Sequence, residues 1–295
     1  MVTDCAEALA ARPATAAAMI QPVLECIPHR VADANDEVHA ALIKNRDTSR
    51  ATISAVSHRI RRLDASRDGG VAAATALTSD ITSCRRCARI VRCREAAAAD
   101  PPKRFVDHTY WARPVPGFGD LRARLLVVGL APAAHGANRT GRIFTGDRSG
   151  DWLYGALHRA GFANQATSIA AADGLVLTDA YVSCIVRCAP PDNKPSPAER
   201  DRCIPFFTRE LTLLSNVRAI LALGAFAWDG LLLAADRLGH PLPRPRPKFA
   251  HGAITTLGPW HVLGSYHVSQ QNTFTGRLTE PMLDAVFACA RSLLG

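Results

Sequence analysis

Apolar residues in this chain come in short continuous runs, separated by polar stretches that carry glycine and proline. The run Leu125–Val128 has the length of a strand buried on both faces. The segment LTDAYVSCIVRCAPP, from Leu177, has a β-rich core at Ala180–Val186, and VRAILALG at 217–224 repeats the pattern. FAHGAITTL and WHVLGSYHVS read as two further strands. Longer segments read as helices. One runs from Val71 into CRRCARIVRCR, and one runs from Trp152 to a terminating Gly161. Others cover 197–214, Ala225 to about Leu238, and Pro281 to Leu294. Ser196 and Glu199 have capping-box spacing before the 197–214 helix. Residues 100–124 are too dense in proline and glycine for a long helix, and GHPLPRPRPKF is a proline-rich excursion. Strands alternating with helices predict an α/β sandwich with a mainly parallel sheet.

The stretch Leu125 to Leu153, LLVVGLAPAAHGANRTGRIFTGDRSGDWL, organises the rest. A strand ends at Gly129 and a glycine-rich loop follows, with Gly136, Gly141 and Gly146 allowing close backbone approach. The loop holds one aromatic, Phe144, and one carboxylate between small residues, Asp147. Ser149 is a candidate cap for a helix starting near Asp151. Strand, loop and helix in this order build a ligand site at the carboxyl end of an open sheet.

Residues 1–70 are Ala-rich and carry no recognisable chemistry; 36–62 has the composition of a polar helix and SRDGG resembles a linker. No apolar run approaches the ~20 residues of a membrane span, and the acidic N-terminus does not read as a signal peptide. A reducing, cytoplasmic location is the default expectation, so the nine cysteines are not expected to pair as disulfides. Charge is unevenly spread. Residues 1–75 carry nine basic and nine acidic side chains, so the net +9 lies in 76–295, where 26 basic residues face 17 acidic ones. That excess points to a polyanionic partner such as nucleic acid.

Cys84 and Cys87 form a C-x2-C pair, and Cys188 and Cys203 a C-x14-C pair. Four thiolates suit zinc or an iron–sulfur cluster, and spacing alone leaves both open. Cys93 competes as a ligand; Cys184 and Cys289 read as ordinary thiols. Two function classes follow: an enzyme acting on nucleic acid, or a non-catalytic metal-containing DNA-binding or sensor module.

Four separated motifs, GLAPAAHGANRTGRIFTGDRSGDWL, RCAPPDNKP, FAHG and SYHVSQQNTFTGRLTEP, resemble the uracil-DNA glycosylases of family 5, over about residues 73–295. The resemblance implies a three-layer α/β/α sandwich with a central, mainly parallel four-stranded sheet. It implies a structural 4Fe-4S cluster on Cys84, Cys87, Cys188 and Cys203, with zinc as the alternative. The substrate would be double-stranded DNA holding a deaminated or damaged base, uracil first; a weakly hydrogen-bonding thiol at Cys184 extends the expected range to hypoxanthine and ethenocytosine. Asp147 and His267 would be catalytic. Phe144, Asn193, Gly129, Ala131 and Cys184 would form the base pocket. Arg139, Arg142 and Arg148 would contact phosphates, and Gln270, Gln271 and Asn272 the minor groove. A monomer near the nucleoid, away from membranes, is expected. Two positions depart from the pattern. Val268 stands where proline is usual, which predicts a less rigid loop. Cys184 stands where the related family 4 has asparagine, which removes an amide that would read uracil.

Overall fold

The computed structural model describes residues 69–295. The expected extension 1–70, its proposed polar helix, and Cys5 and Cys26 fall outside the described residues, apart from positions 69 and 70. Residues from Ala74 to Gly295 belong to one compact unit. Among the described residues no helix is long and apolar enough to cross a membrane.

Among the described residues six strands form one sheet in the order β1-β3-β2-β4-β6-β5: β1 Phe118–Gly119, β2 Leu125–Gly129, β3 Ala180–Cys184, β4 Ala219–Leu223, β5 Ile254–Leu257 and β6 Trp260–Ser265. The inner four, β3, β2, β4 and β6, are parallel, as expected. The sheet is larger than the expected four strands because β1 and β5 add antiparallel edges. β5 and β6 are joined by only two residues, which is enough for a hairpin and too few for a parallel crossover.

The inner strands read as unbroken apolar runs because both of their faces are covered. Every residue of β2, β3 and β4 is buried. Alternate side chains serve opposite layers. Leu125, Val127, Val182 and Leu221 pack with helices α4 (Arg148–Arg159) and α8 (Glu280–Ser292). Leu126, Val128, Ile220 and Val262 pack with α5 (Pro197–Leu213) and α6 (Ala225–Arg237). Each fully buried aliphatic side chain contributes about 1.5–3 kcal/mol. The capping box of Ser196 and Glu199 forms, with both reciprocal bonds present.

The N-terminal helical segment differs from expectation. It is two helices, α1 over 69–82 and α2 at Ala88–Ala99, with Cys84–Cys87 as the connector. The hydroxyls of Thr82 and Ser83 bond back to the Ser79 carbonyl at 3.2 and 2.9 Å, occupying an acceptor at the helix end. Leu77 and Ile81 of α1 pack on Phe206 of α5.

A charged pair is sealed beneath the sheet. Arg187 (1% exposed) meets Glu210 of α5 (3% exposed) through two bonds, at 3.2 and 2.6 Å. Glu210 also accepts from Ser183 and from Tyr181, the latter at 3.3 Å. Removing one member of such a pair strands the other charge in the interior. Glu210→Ala is therefore expected to cost about 3–5 kcal/mol in urea unfolding, and a loss under about 1 kcal/mol would show that the pair carries no such weight.

Candidate active site

The parallel strands all end at one edge of the sheet, at Gly129, Cys184, Leu223 and Ser265. The loops leaving them wall a cleft of about 650 Å³. The loop after β2 supplies Ala131 and Ala133, and then the short helix α3 (Ala137–Thr140).

Asp147 is the N-cap of α4, so the helix starts at Arg148 rather than near Asp151, and the cap is Asp147 rather than Ser149. Its Oδ1 accepts from the Ser149 and Gly150 amides at 2.9 and 3.1 Å. Its Oδ2 lies against Gly136, where a Cβ would stand 1.8 Å from it. Burial raises the Asp147 pKa, and the two amide bonds oppose that rise.

Phe144 adopts φ +50, a conformation that costs a non-glycine residue energy. Its ring lies where a Cβ on Gly129 would be, 2.6 Å from that position, with Cys184 Sγ at 3.2 Å. Gly129 thus makes room for the ring, while Ala131, Phe144 and Cys184 face the cleft. Across the cleft, His267 follows β6 with its ring 6.0 Å from Phe144, centroid to centroid, at 37°. Burial pushes the His267 pKa down to about 4, so the ring is neutral at pH 7 and still donates one N–H. The next residue, Val268, is fully buried in the core, and Asn272 Nδ2 donates to the His267 carbonyl at 2.8 Å. Packing and this bond hold the loop that proline's ring would otherwise stiffen. Asn193 lies at the rim in the turn Pro191–Asn193, with φ +55.

The three arginines separate. Arg142 is 4% exposed and fully engaged: it bonds Thr145, Ser168 and the Ala171 carbonyl, and pairs with Asp173 at 2.7 Å. Arg139 is 9% exposed, bonds the His135 and Gly146 carbonyls, and lies 4.2 Å over Phe105. The expectation that these two contact phosphates is corrected: their guanidinium groups brace the loop from inside. Only Arg148 is exposed, lying 5.0 Å over the ring of Phe274. Gln270, Gln271 and Asn272, in the short helix α7 (Gln270–Phe274), line the mouth of the cleft. Lys194, Ser269 and Phe226 line it too, unforeseen; only Phe226 is apolar, and it had read as an ordinary helix residue.

Cys84, Cys87, Cys188 and Cys203 line one small apolar cavity with Ile90, Val91, Val186 and Phe206. Among the described residues no three His, Cys, Asp or Glu side chains converge as a single metal ion requires. Arg94, 2% exposed, points Nη1 at Cys188 Sγ over 3.1 Å, and the Arg187 amide donates to Cys203 Sγ over 3.3 Å. Cys93 is not part of this cavity.

A family model for the uracil DNA glycosylase superfamily matches residues 116–290. The chain belongs to that superfamily. A type-5 uracil-DNA glycosylase of Mycobacterium tuberculosis is 53% identical over 229 residues, covering 77% of this chain and 84% of that one. A type-5 uracil-DNA glycosylase of Thermus thermophilus is 47% identical over 223 residues, covering 75% and 98%. Similarity to a type-4 uracil-DNA glycosylase of Pyrobaculum aerophilum is lower, 29% over 148 residues. This glycosylase-superfamily chain is an enzyme, and the residues that line its cleft lie within the matched span.

His267 gives a pH signature. An unfolded histidine binds a proton below about 6.5, whereas folded His267 does so only below about 4. The unfolded state therefore holds more protons in that window, and stability falls as pH drops through it. His267→Phe is expected to flatten the stability profile between those pH values in urea titrations. An unchanged profile would mean that His267 is solvated.

Proposed function

We propose that the enzyme is a base-excision DNA glycosylase that releases uracil from duplex DNA, leaving an abasic site. The observation that carries this reading is the pairing of Asp147 and neutral His267 in one cleft, beside the ring of Phe144. An N-glycosidic bond inside a duplex is reached by turning the nucleotide out of the stack. Phe144 then offers a flat apolar wall, with stacking worth ~1–3 kcal/mol. As the bond lengthens, the sugar becomes cationic and the base anionic. Asp147 Oδ2 sets a negative charge beside the sugar and orients the attacking water, while Oδ1 stays fixed to the helix N-terminus. The raised pKa of Asp147 makes it a stronger base for that water. His267 donates its N–H to the departing base; with its pKa lowered by burial, the neutral ring gives a hydrogen bond rather than a proton. Asn193 and Gln270–Asn272 complete the pocket rim and the groove contact. Exposed Arg148, Lys194 and Arg277 supply the phosphate contacts first assigned to Arg139 and Arg142. Cys184, with a weak donor and no amide, favours sorting by shape, so hypoxanthine and ethenocytosine join uracil as substrates. The enzyme acts as a monomer in the cytoplasm, at the nucleoid.

The four cysteines fit a 4Fe-4S cluster better than zinc. They surround one cavity without converging on a point, and a buried guanidinium and an amide are aimed at two of the sulfurs. Burial pushes the Cys188 and Cys203 thiols up to about 12 and about 11, so without a metal these thiols stay protonated. When bound, the cluster supplies a cross-link rather than chemistry. It ties the α1–α2 connector to the segment after β3 and to α5.

Single-turnover assays on duplexes carrying uracil, hypoxanthine or ethenocytosine test the function. Asp147→Asn is expected to lower base release by at least about 100-fold with duplex affinity nearly unchanged. Base release at the wild-type rate in that variant would sink the assignment. Duplex binding by wild type without base release would favour the non-catalytic module. Protein purified anaerobically is expected to hold iron and sulfide, and to lose both in Cys188→Ala; stoichiometric zinc without sulfide would overturn the cluster.

A further inference from the structure

The FAHG motif has no place in the chemistry described so far, yet it closes on the end of β6. The Gly252 amide donates to the Gly264 carbonyl and the Gly264 amide to the Ala253 carbonyl, both at 2.8 Å. A Cβ on Gly264 would stand 2.4 Å from the Ala250 carbonyl, so only glycine lets this turn press so near. Beyond Ser265, the last residue of β6, come Tyr266 and His267. The Tyr266 amide donates to His251 Nδ1 at 3.2 Å, and the two rings stack at 5.0 Å and 25°. Phe249 and Arg277 also engage the Tyr266 ring, at 6.4 and 4.6 Å. One imidazole therefore holds both backbone and ring of the residue immediately before His267.

We propose that His251 is a positioning residue for His267, acting as a hydrogen-bond acceptor that fixes the backbone at Tyr266 and so aims the leaving-group donor into the cleft. This rests on the glycosylase reading of His267, but the clamp itself is a property of the fold. Nδ1 accepts only while the ring is neutral with its proton on Nε2. Protonation would set an N–H against the Tyr266 N–H and open the clamp. Tyr266 faces His251 from the end of β6, and Arg277 faces the same Tyr266 ring from beyond α7. Burial holds His251 below its ordinary pKa, which keeps the acceptor available at neutral pH. Asn193, Asp147 and the Phe144 wall do not depend on this bond, so its loss affects aim rather than binding.

Two substitutions separate acceptor from ring. His251→Asn keeps an acceptor oxygen near the Nδ1 position; His251→Phe keeps the stack and loses the acceptor. In the full chain, hydrogen exchange of the Tyr266 amide is expected to speed up about tenfold in His251→Phe. Single-turnover base release should slow about tenfold, with duplex affinity within about twofold of wild type. His251→Asn, whose side chain does not titrate, should restore both readouts. Unchanged Tyr266 exchange in His251→Phe would overturn the clamp. Equal loss of rate in both variants would overturn the acceptor role, and so would a fall in duplex affinity that matches the fall in rate. If wild type releases no base from any duplex, the functional reading fails, and the exchange measurement still judges the clamp.

Discussion

Everything at the cleft hangs on one carboxylate held by one of its two oxygens. Asp147 Oδ1 caps α4 through the Ser149 and Gly150 amides, which fixes the side chain without neutralising it. The other oxygen lies against position 136, where only glycine fits. A helix N-terminus favours negative charge, while burial disfavours it. The balance keeps a carboxylate in a partly dry pocket with its basicity raised rather than abolished. Helix cap and proposed catalytic group are one residue here, so a cap role for an aspartate does not exclude a chemical one.

Around that carboxylate the molecule spends its buried polar groups on holding loops. Arg142 spans Thr145, Ser168 and Asp173, and Arg139 spans His135 and Gly146; between them they fix both ends of the segment that carries Phe144. That support is what allows Phe144 to sit at positive φ, since a strained conformation persists only where its surroundings over-determine it. On the opposite layer, Arg187 and Glu210 lock the end of β3 to α5, next to the cysteine cavity. The loop after β2 and the cysteine cavity are joined through α2: Asn138 Nδ2 bonds the Arg94 carbonyl at 3.1 Å, and the Arg94 side chain reaches Cys188.

Much of the fold was legible in the sequence because its signals were local. The runs Leu125–Val128 and Ala219–Leu223 announce doubly covered strands, and Ser196 with Glu199 announces a helix start. The break between α1 and α2 was not legible, because the hydroxyls of Thr82 and Ser83 fold back onto the Ser79 carbonyl beside the Ser83 amide, a local contact that periodicity does not register. The edge strand β1 is only two residues long and gave no pattern at all. At the site, Asp147, Phe144, His267 and Asn193 stood out by motif and do share one cleft. Arg139 and Arg142 misled. A sequence shows charge but not the backbone carbonyls of His135, Gly146 and Ala171 that consume it. His251 was visible as part of a motif, but its partner is a backbone amide, which leaves no mark in the sequence.

The central claim is geometric: a base turned out of the duplex lies on Phe144, between Asp147 and His267. A crystal structure of Asp147→Asn bound to a uracil-containing duplex tests it most directly. The account predicts an extrahelical uracil stacked on the Phe144 ring, its sugar C1′ beside the side chain at position 147, and the His267 ring within hydrogen-bond reach of the base. A uracil still paired in the helix, or lodged away from Phe144 with His267 out of reach, would contradict it.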